Sequence, residues 1–134
     1  MTKKKIDLAS LDVNEACNKS VEIELKHPST NKPIGVFISI LGAESTIIRA
    51  HEKKVTDFDL KNISEDIIDV DTGIVEKRLV NLAKSATVSW INMVFEGEEL
   101  EFSSENLDKI YNHPGLTWIV TQVYKAMKNL KLFM

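Results

Sequence analysis

The stretch Val21-Glu22-Ile23-Glu24-Leu25-Lys26-His27-Pro28-Ser29-Thr30-Asn31-Lys32-Pro33-Ile34-Gly35-Val36-Phe37-Ile38-Ser39-Ile40-Leu41 decides the fold class. Val21, Ile23 and Leu25 alternate with Glu22, Glu24 and Lys26. That period of two belongs to a strand with one dry and one wet face. Residues 27–33 are dense in turn formers. Pro28 and Pro33 each remove a backbone donor, and Asn31 tolerates a left-handed backbone. A second strand follows from Gly35 to Leu41, with Val36, Ile38 and Ile40 on one face and Phe37, Ser39 and Leu41 on the other. The pattern predicts a β-hairpin. A two-stranded hairpin is marginal in water by itself, so it must lean on the remainder of the chain or on another chain.

Outward from the hairpin the period changes to that of helices. Gly42 ends the second strand, and a helix is predicted from about Ala43 to Lys54. Ile47, Ile48 and Ala50 form its apolar stripe; Arg49, Glu52, Lys53 and Lys54 form its wet face. Residues 55–72 carry Asp57, Asp59, Glu65, Asp66, Asp69 and Asp71 around weakly spaced isoleucines, which fits either a short helix or a loose acidic excursion. The strongest pattern runs from about Thr72 to Val94. Val75, Leu79, Leu82, Ala86, Trp90 and Met93 recur at steps of three and four and predict one helix face. A turn at Gly97 ends it. Ser103 or Ser104 can cap a short helix to about Asn112, with Glu105 in its first turn. Pro114 fits the start of a last helix carrying Leu116, Ile119, Val120, Val123, Met127 and Leu130. The expected class is α+β, an N-terminal β-hairpin followed by a mainly helical domain of about four helices. Residues 1–20 are expected to be a flexible arm with a short helical turn, and residues 21–134 a single domain.

Composition narrows the function classes. Apolar residues are 43% and charged residues 28% of the 134, which fits a globular chain and not a disordered one. The net charge is −3, and the one basic run is Lys3-Lys4-Lys5. Nucleic acids and anionic membranes need a basic surface to displace counterions, so neither is an expected partner. Cys17 is the single cysteine and cannot form an internal disulfide. Asp7, Asp12 and Glu15 interrupt any apolar leader after the lysines, and no apolar run reaches bilayer length. The expected location is the cytoplasm.

Candidate chemistry is sparse. His27, His51 and His113 lack the spacing of a metal pair, and Cys17 has no histidine near it in sequence. Asp69-Val70-Asp71-Thr72-Gly73 superficially matches a calcium loop. Its glycine comes too early, however, and Val80 stands where such a loop needs a glutamate. No glycines cluster to cradle a phosphate, and no serine has a nucleophile-elbow context. The residues offer no catalytic group, no metal set and no cofactor site, and point to a non-enzymatic protein that binds other proteins. Trp90 lies on an apolar face and reads as core. Trp118 and Tyr124 lie slightly off the last helix's stripe, and both types are favoured interface anchors.

Three blocks resemble a known family. The first is Leu25 to Gly35, continued by Phe37 to Gly42 and Glu44-Ser45. The second is Ala83-Lys84-Ser85-Ala86-Thr87-Val88-Ser89-Trp90. The third is Phe102 to Leu107, then Tyr111 to Pro114, Trp118-Ile119 and Gln122-Val123. In this order they resemble the tail assembly chaperones of long-tailed, siphovirus-type bacteriophages and prophages, over roughly residues 21–133. The family usually has aspartate where His27 stands and glycine where Asn31 and Ser89 stand. The resemblance implies a chaperone that binds the tape measure protein and helps major tail-tube subunits assemble around it, without entering the finished virion. It implies no catalytic residue and no cofactor. A helix-binding chaperone is expected to offer an apolar groove, here lined by Ile119, Val120, Val123 and Met127, with Trp118 and Tyr124 beside them. Self-association through the hairpin's open edge is also expected. The alternatives are a minor structural tail protein retained in the particle, and a small enzyme or regulator of another kind.

Overall fold

A computed structural model describes residues 5–53 and 72–134. The acidic stretch 55–71, the residues Lys3 and Lys4 and the side chain of Val75 lie outside what it describes. The chain is α+β, as its two periodicities predict. Strands β1 (Val21–Lys26) and β2 (Pro33–Ile40) form the expected hairpin. Val21 pairs with Ile40 and Ile23 with Ile38, so the dry faces of both strands coincide. Leu25, Ile38 and Ile40 are buried. Asn31 takes the left-handed conformation its type allows, at φ 60°. Gly35 is also left-handed, at φ 79°. Its N–H donates to Glu24 Oε2 at 3.0 Å and its carbonyl accepts from Asn92 Nδ2 at 3.1 Å.

The N-terminal segment is tied to the turn after β2. Helix α1 (Val13–Cys17) is capped by Asp12, whose carboxylate accepts from Glu15 N–H. Asn14 Nδ2 donates to Glu44 O at 2.8 Å, and Asn18 Oδ1 accepts from Thr46 N–H at 2.8 Å. The second bond caps helix α2, residues 46–53. Cys17, expected in the arm, is fully buried, and a Cβ built on Gly42 would stand 2.3 Å from its Sγ. Of the stripe expected on α2 only Ile48 is buried. Ile47 is 56% exposed, and Ala50 faces solvent.

Helix α3 (Thr72–Ala86) stops eight residues short of the predicted Val94. Thr87 to Ile91 form strand β3, antiparallel to β2, giving a three-stranded sheet ordered β1-β2-β3. The β-branched and aromatic residues Thr87, Val88, Trp90 and Ile91 favour a pleated surface over a helix. Register slips between Ser39 and Ile40, leaving Val88 as an extra residue on β3. Thr87 and Trp90 are consequently both buried at a spacing of three. Asn92, at φ 60°, then turns the chain so that Met93, another three on, is buried too. Bulge and left-handed residue together imitate a helical period.

At the junction, Thr87 Oγ1 donates to Ala83 O at 2.7 Å and lies 2.7 Å from the Tyr111 hydroxyl. The threonine's one proton is spent on the carbonyl, so the tyrosine donates to Thr87. Burial pushes the Tyr111 phenol well above its usual range. Trp90 is core, as expected. Its Nε1 donates to Leu100 O at 2.9 Å, and its ring meets Phe102 edge-on at 5.1 Å.

A small hairpin follows, β4 (Val94–Phe95) and β5 (Glu98–Glu99). Both residues of its turn, Glu96 and Gly97, have positive φ, the geometry that follows the twist of the strands. Helix α4 (Ser104–Tyr111) is capped by Ser103, which accepts from Asn106 N–H at 3.1 Å. Pro114 opens a 3-10 turn (Pro114–Leu116) that leads into α5 (Thr117–Met127). Helices α3, α4 and α5 supply Ala83, Ala86, Leu107, Ile110, Tyr111, Ile119, Val120, Val123 and Met127 to one core with the sheet's inner residues.

Two stability outcomes follow. Thr87→Val orphans the buried Tyr111 hydroxyl and should cost about 1–3 kcal/mol, whereas Tyr111→Phe should cost about 0.5–1.5 kcal/mol; urea unfolding of both variants checks the order. The raised phenol also makes wild-type stability fall as pH rises past about 10, where the unfolded chain's tyrosines ionise, and Tyr111→Phe should flatten that fall. Gly42→Ala forces α1 from its seat and should cost about 1–3 kcal/mol. The Cys17 thiol, shielded in the native protein, should then react with a disulfide reagent faster than in wild type.

Candidate functional site

A cleft of about 900 Å³ lies between the outer edge of β1 and one flank of α5. Glu22, Ile23, Glu24 and Lys26 form the strand wall; Thr117, Trp118, Thr121, Gln122, Lys125 and Ala126 form the helix wall. His27, Pro28 and Asn31 close one end, and Asn129 and Leu132 also line the cleft. The helix wall falls at steps of three and four, a second stripe beside the buried one.

Two local devices hold the walls. The hairpin turn is organised by one imidazole. His27 Nδ1 accepts from Ser29 N–H at 3.1 Å and from Thr30 N–H at 3.2 Å, while His27 N–H donates to Lys32 O at 2.8 Å. A carboxylate or amide oxygen does the same in an Asx turn, so the ring takes over work often given to aspartate. Across the cleft, Gln122 Oε1 accepts from Lys26 N–H at 2.9 Å and Gln122 Nε2 donates to Lys26 O at 2.8 Å. A side-chain amide thus occupies the place a neighbouring strand would take.

The residues expected to form an apolar groove divide between two environments. Ile119, Val120, Val123 and Met127 are 3%, 3%, 0% and 1% exposed and fill the protein's own core. That corrects the groove reading. Exposing four such side chains would cost about 6–12 kcal/mol, comparable to the whole stability of a typical domain. Trp118 is half-buried and lines the cleft. Tyr124 is half-buried outside it, with the Lys128 ammonium 4.5 Å above its ring. Gln122, Thr121, Lys125, Ile23 and the peptide edge of β1 were missed as site residues. The polar side of α5 carried a signal, Trp118 and Gln122 at a spacing of four, but nothing local shows that β1 lies opposite.

The histidines stay apart. His27 caps the hairpin turn, and His113 Nδ1 accepts from Gly115 N–H at 3.0 Å, capping the turn before α5. Among the described residues no cluster of histidine, cysteine, aspartate or glutamate could hold a metal ion, and no helix is long and apolar enough to cross a membrane. No family model, curated protein or solved structure matches the chain.

His27→Ala removes the acceptor of two backbone donors and should cost about 1 kcal/mol, whereas His27→Asp restores an acceptor and should lie within about 0.5 kcal/mol of wild type. Thermal unfolding of the pair distinguishes a turn-organising imidazole from an idle one.

Proposed function

We propose that this protein is a non-enzymatic chaperone of bacteriophage tail assembly, acting in the cytoplasm of the bacterial host. It binds the tape measure protein, and with it major tail-tube subunits, while the tail is built. One observation carries the reading: residues of the first and third family-like blocks, distant in sequence, meet in one cleft. Lys26, His27, Pro28 and Asn31 come from the first, and Trp118 and Gln122 from the third. The cleft, not the buried stripe of α5, is then the docking surface. Trp118 supplies the large amphipathic contact typical of such sites. The acidic balance of the chain, net −3, keeps a client complex dispersed. Several copies on one long client would add their affinities through avidity. The second reading is a minor structural protein retained in the tail. Mass spectrometry of purified virions separates the two, since a chaperone is absent from them.

Co-expression with a tape measure protein tests the reading. Wild type should keep the client in the soluble fraction. Thr121→Arg, at an exposed cleft position, should lower that fraction severalfold with its own melting temperature unchanged. A client that precipitates equally with and without the wild-type chain would refute the assignment.

A further inference from the structure

We propose that the cleft between β1 and α5 receives an extended segment of a partner polypeptide, which adds to β1 as a further strand. Peptide groups along an antiparallel strand point alternately to its two sides. At one end of β1, His27 N–H bonds Lys32 O, so His27 faces the hairpin partner, while Lys26 turns its N–H and C=O outward to Gln122. At the other end, Leu41 N–H bonds Ala86 O, so Leu41 faces the β3 side, and Ile40, paired with Val21, faces β1. Both ends fix the same alternation. Val21 and Ile23 spend their peptide groups on β2, the register shifts at Leu25, and Glu22, Glu24 and Lys26 present theirs to the cleft.

Gln122 satisfies the outward position at Lys26 with a primary amide, which reproduces the donor and acceptor of a peptide group. Among the described residues nothing pairs with the backbone at Glu22 and Glu24, and no strand lies on that side of β1. A docked helix has already used its own peptide groups and would leave these unpaired. An extended chain satisfies them. Its side chains would alternate as well. Those level with Glu22 and Glu24 stand beside carboxylates, where cross-strand pairing favours lysine or arginine. Those level with Ile23 turn toward Ile23, Trp118 and Ala126, where valine, isoleucine or leucine fits. The occupant is a segment in which basic and aliphatic residues alternate. This rests on the proposed function only for the identity of the chain that supplies the segment.

A short end-capped peptide of alternating lysine and valine, titrated into isotopically labelled full-length protein, tests the mode. Two controls are a peptide of the same composition in block order and the alternating peptide N-methylated at every second residue. The alternating peptide should protect the Glu22 and Glu24 amides from hydrogen exchange, and both controls should bind about tenfold more weakly. Glu22→Pro removes an outward donor at an edge position that tolerates proline, and should weaken binding by a similar factor while the protein still melts cooperatively. Equal affinity for all three peptides, or protection elsewhere, overturns the proposal; that comparison decides even if Glu22→Pro does not fold. Concentration-dependent protection of the same amides without peptide would make a second copy the occupant, and would overturn it too. A tape measure kept soluble by a chain that binds no peptide sinks the strand mode and spares the function. Peptide binding without that activity does the reverse.

Discussion

Thr87 stands where a helix becomes a strand, and its hydroxyl links three elements. It donates to the Ala83 carbonyl in the last turn of α3, accepts from Tyr111 at the end of α4, and its own backbone begins β3. A buried hydroxyl left unpartnered is costly, so α3, α4 and the sheet are positioned together or not at all. Once β3 exists, β2 is hydrogen-bonded on both sides and becomes the central strand. The hairpin then belongs to a sheet with a covered inner face, which gives it the support an isolated pair of strands lacks.

The same constraint leaves β1 at the margin. A sheet edge presents a row of donors and acceptors that invites pairing, and proteins commonly blunt it with charge or cover it. Both measures are visible here. Glu22, Glu24 and Lys26 charge the wet face, and Gln122 covers the final outward peptide group. Among the described residues the cover extends no further, and beside the uncovered part lies the cleft of about 900 Å³.

Helix α5 serves both sides of this arrangement. One stripe, Ile119, Val120, Val123 and Met127, is spent on the core. The adjoining stripe, Trp118, Thr121, Gln122 and Lys125, walls the cleft. Residues one position apart on a helix point about 100° apart, so neighbours such as Gln122 and Val123 serve opposite environments. Binding on one stripe need not disturb the packing of the other, so the cleft could be filled and emptied without unfolding the protein.

Local chemistry was enough to determine the hairpin with its turn at 27–33, a serine cap for α4 at Ser103 or Ser104, and the α+β class, because each depends on residues a few positions apart; it set Pro114 at the start of α5, where the structure has a separate 3-10 turn leading into that helix. It was not enough for β3. The bulge at Val88 and the left-handed Asn92 spaced the buried residues as a helix would, and only pairing with β2 reveals a strand. Nor could it find the site, whose two walls are joined through Lys26 and Gln122, 96 positions apart. Periodicity tells which side of an element is apolar. Which apolar side is used up inside, and which edge is left facing a cleft, is decided by how the elements meet, because burial is a property of the assembled core and not of any one segment.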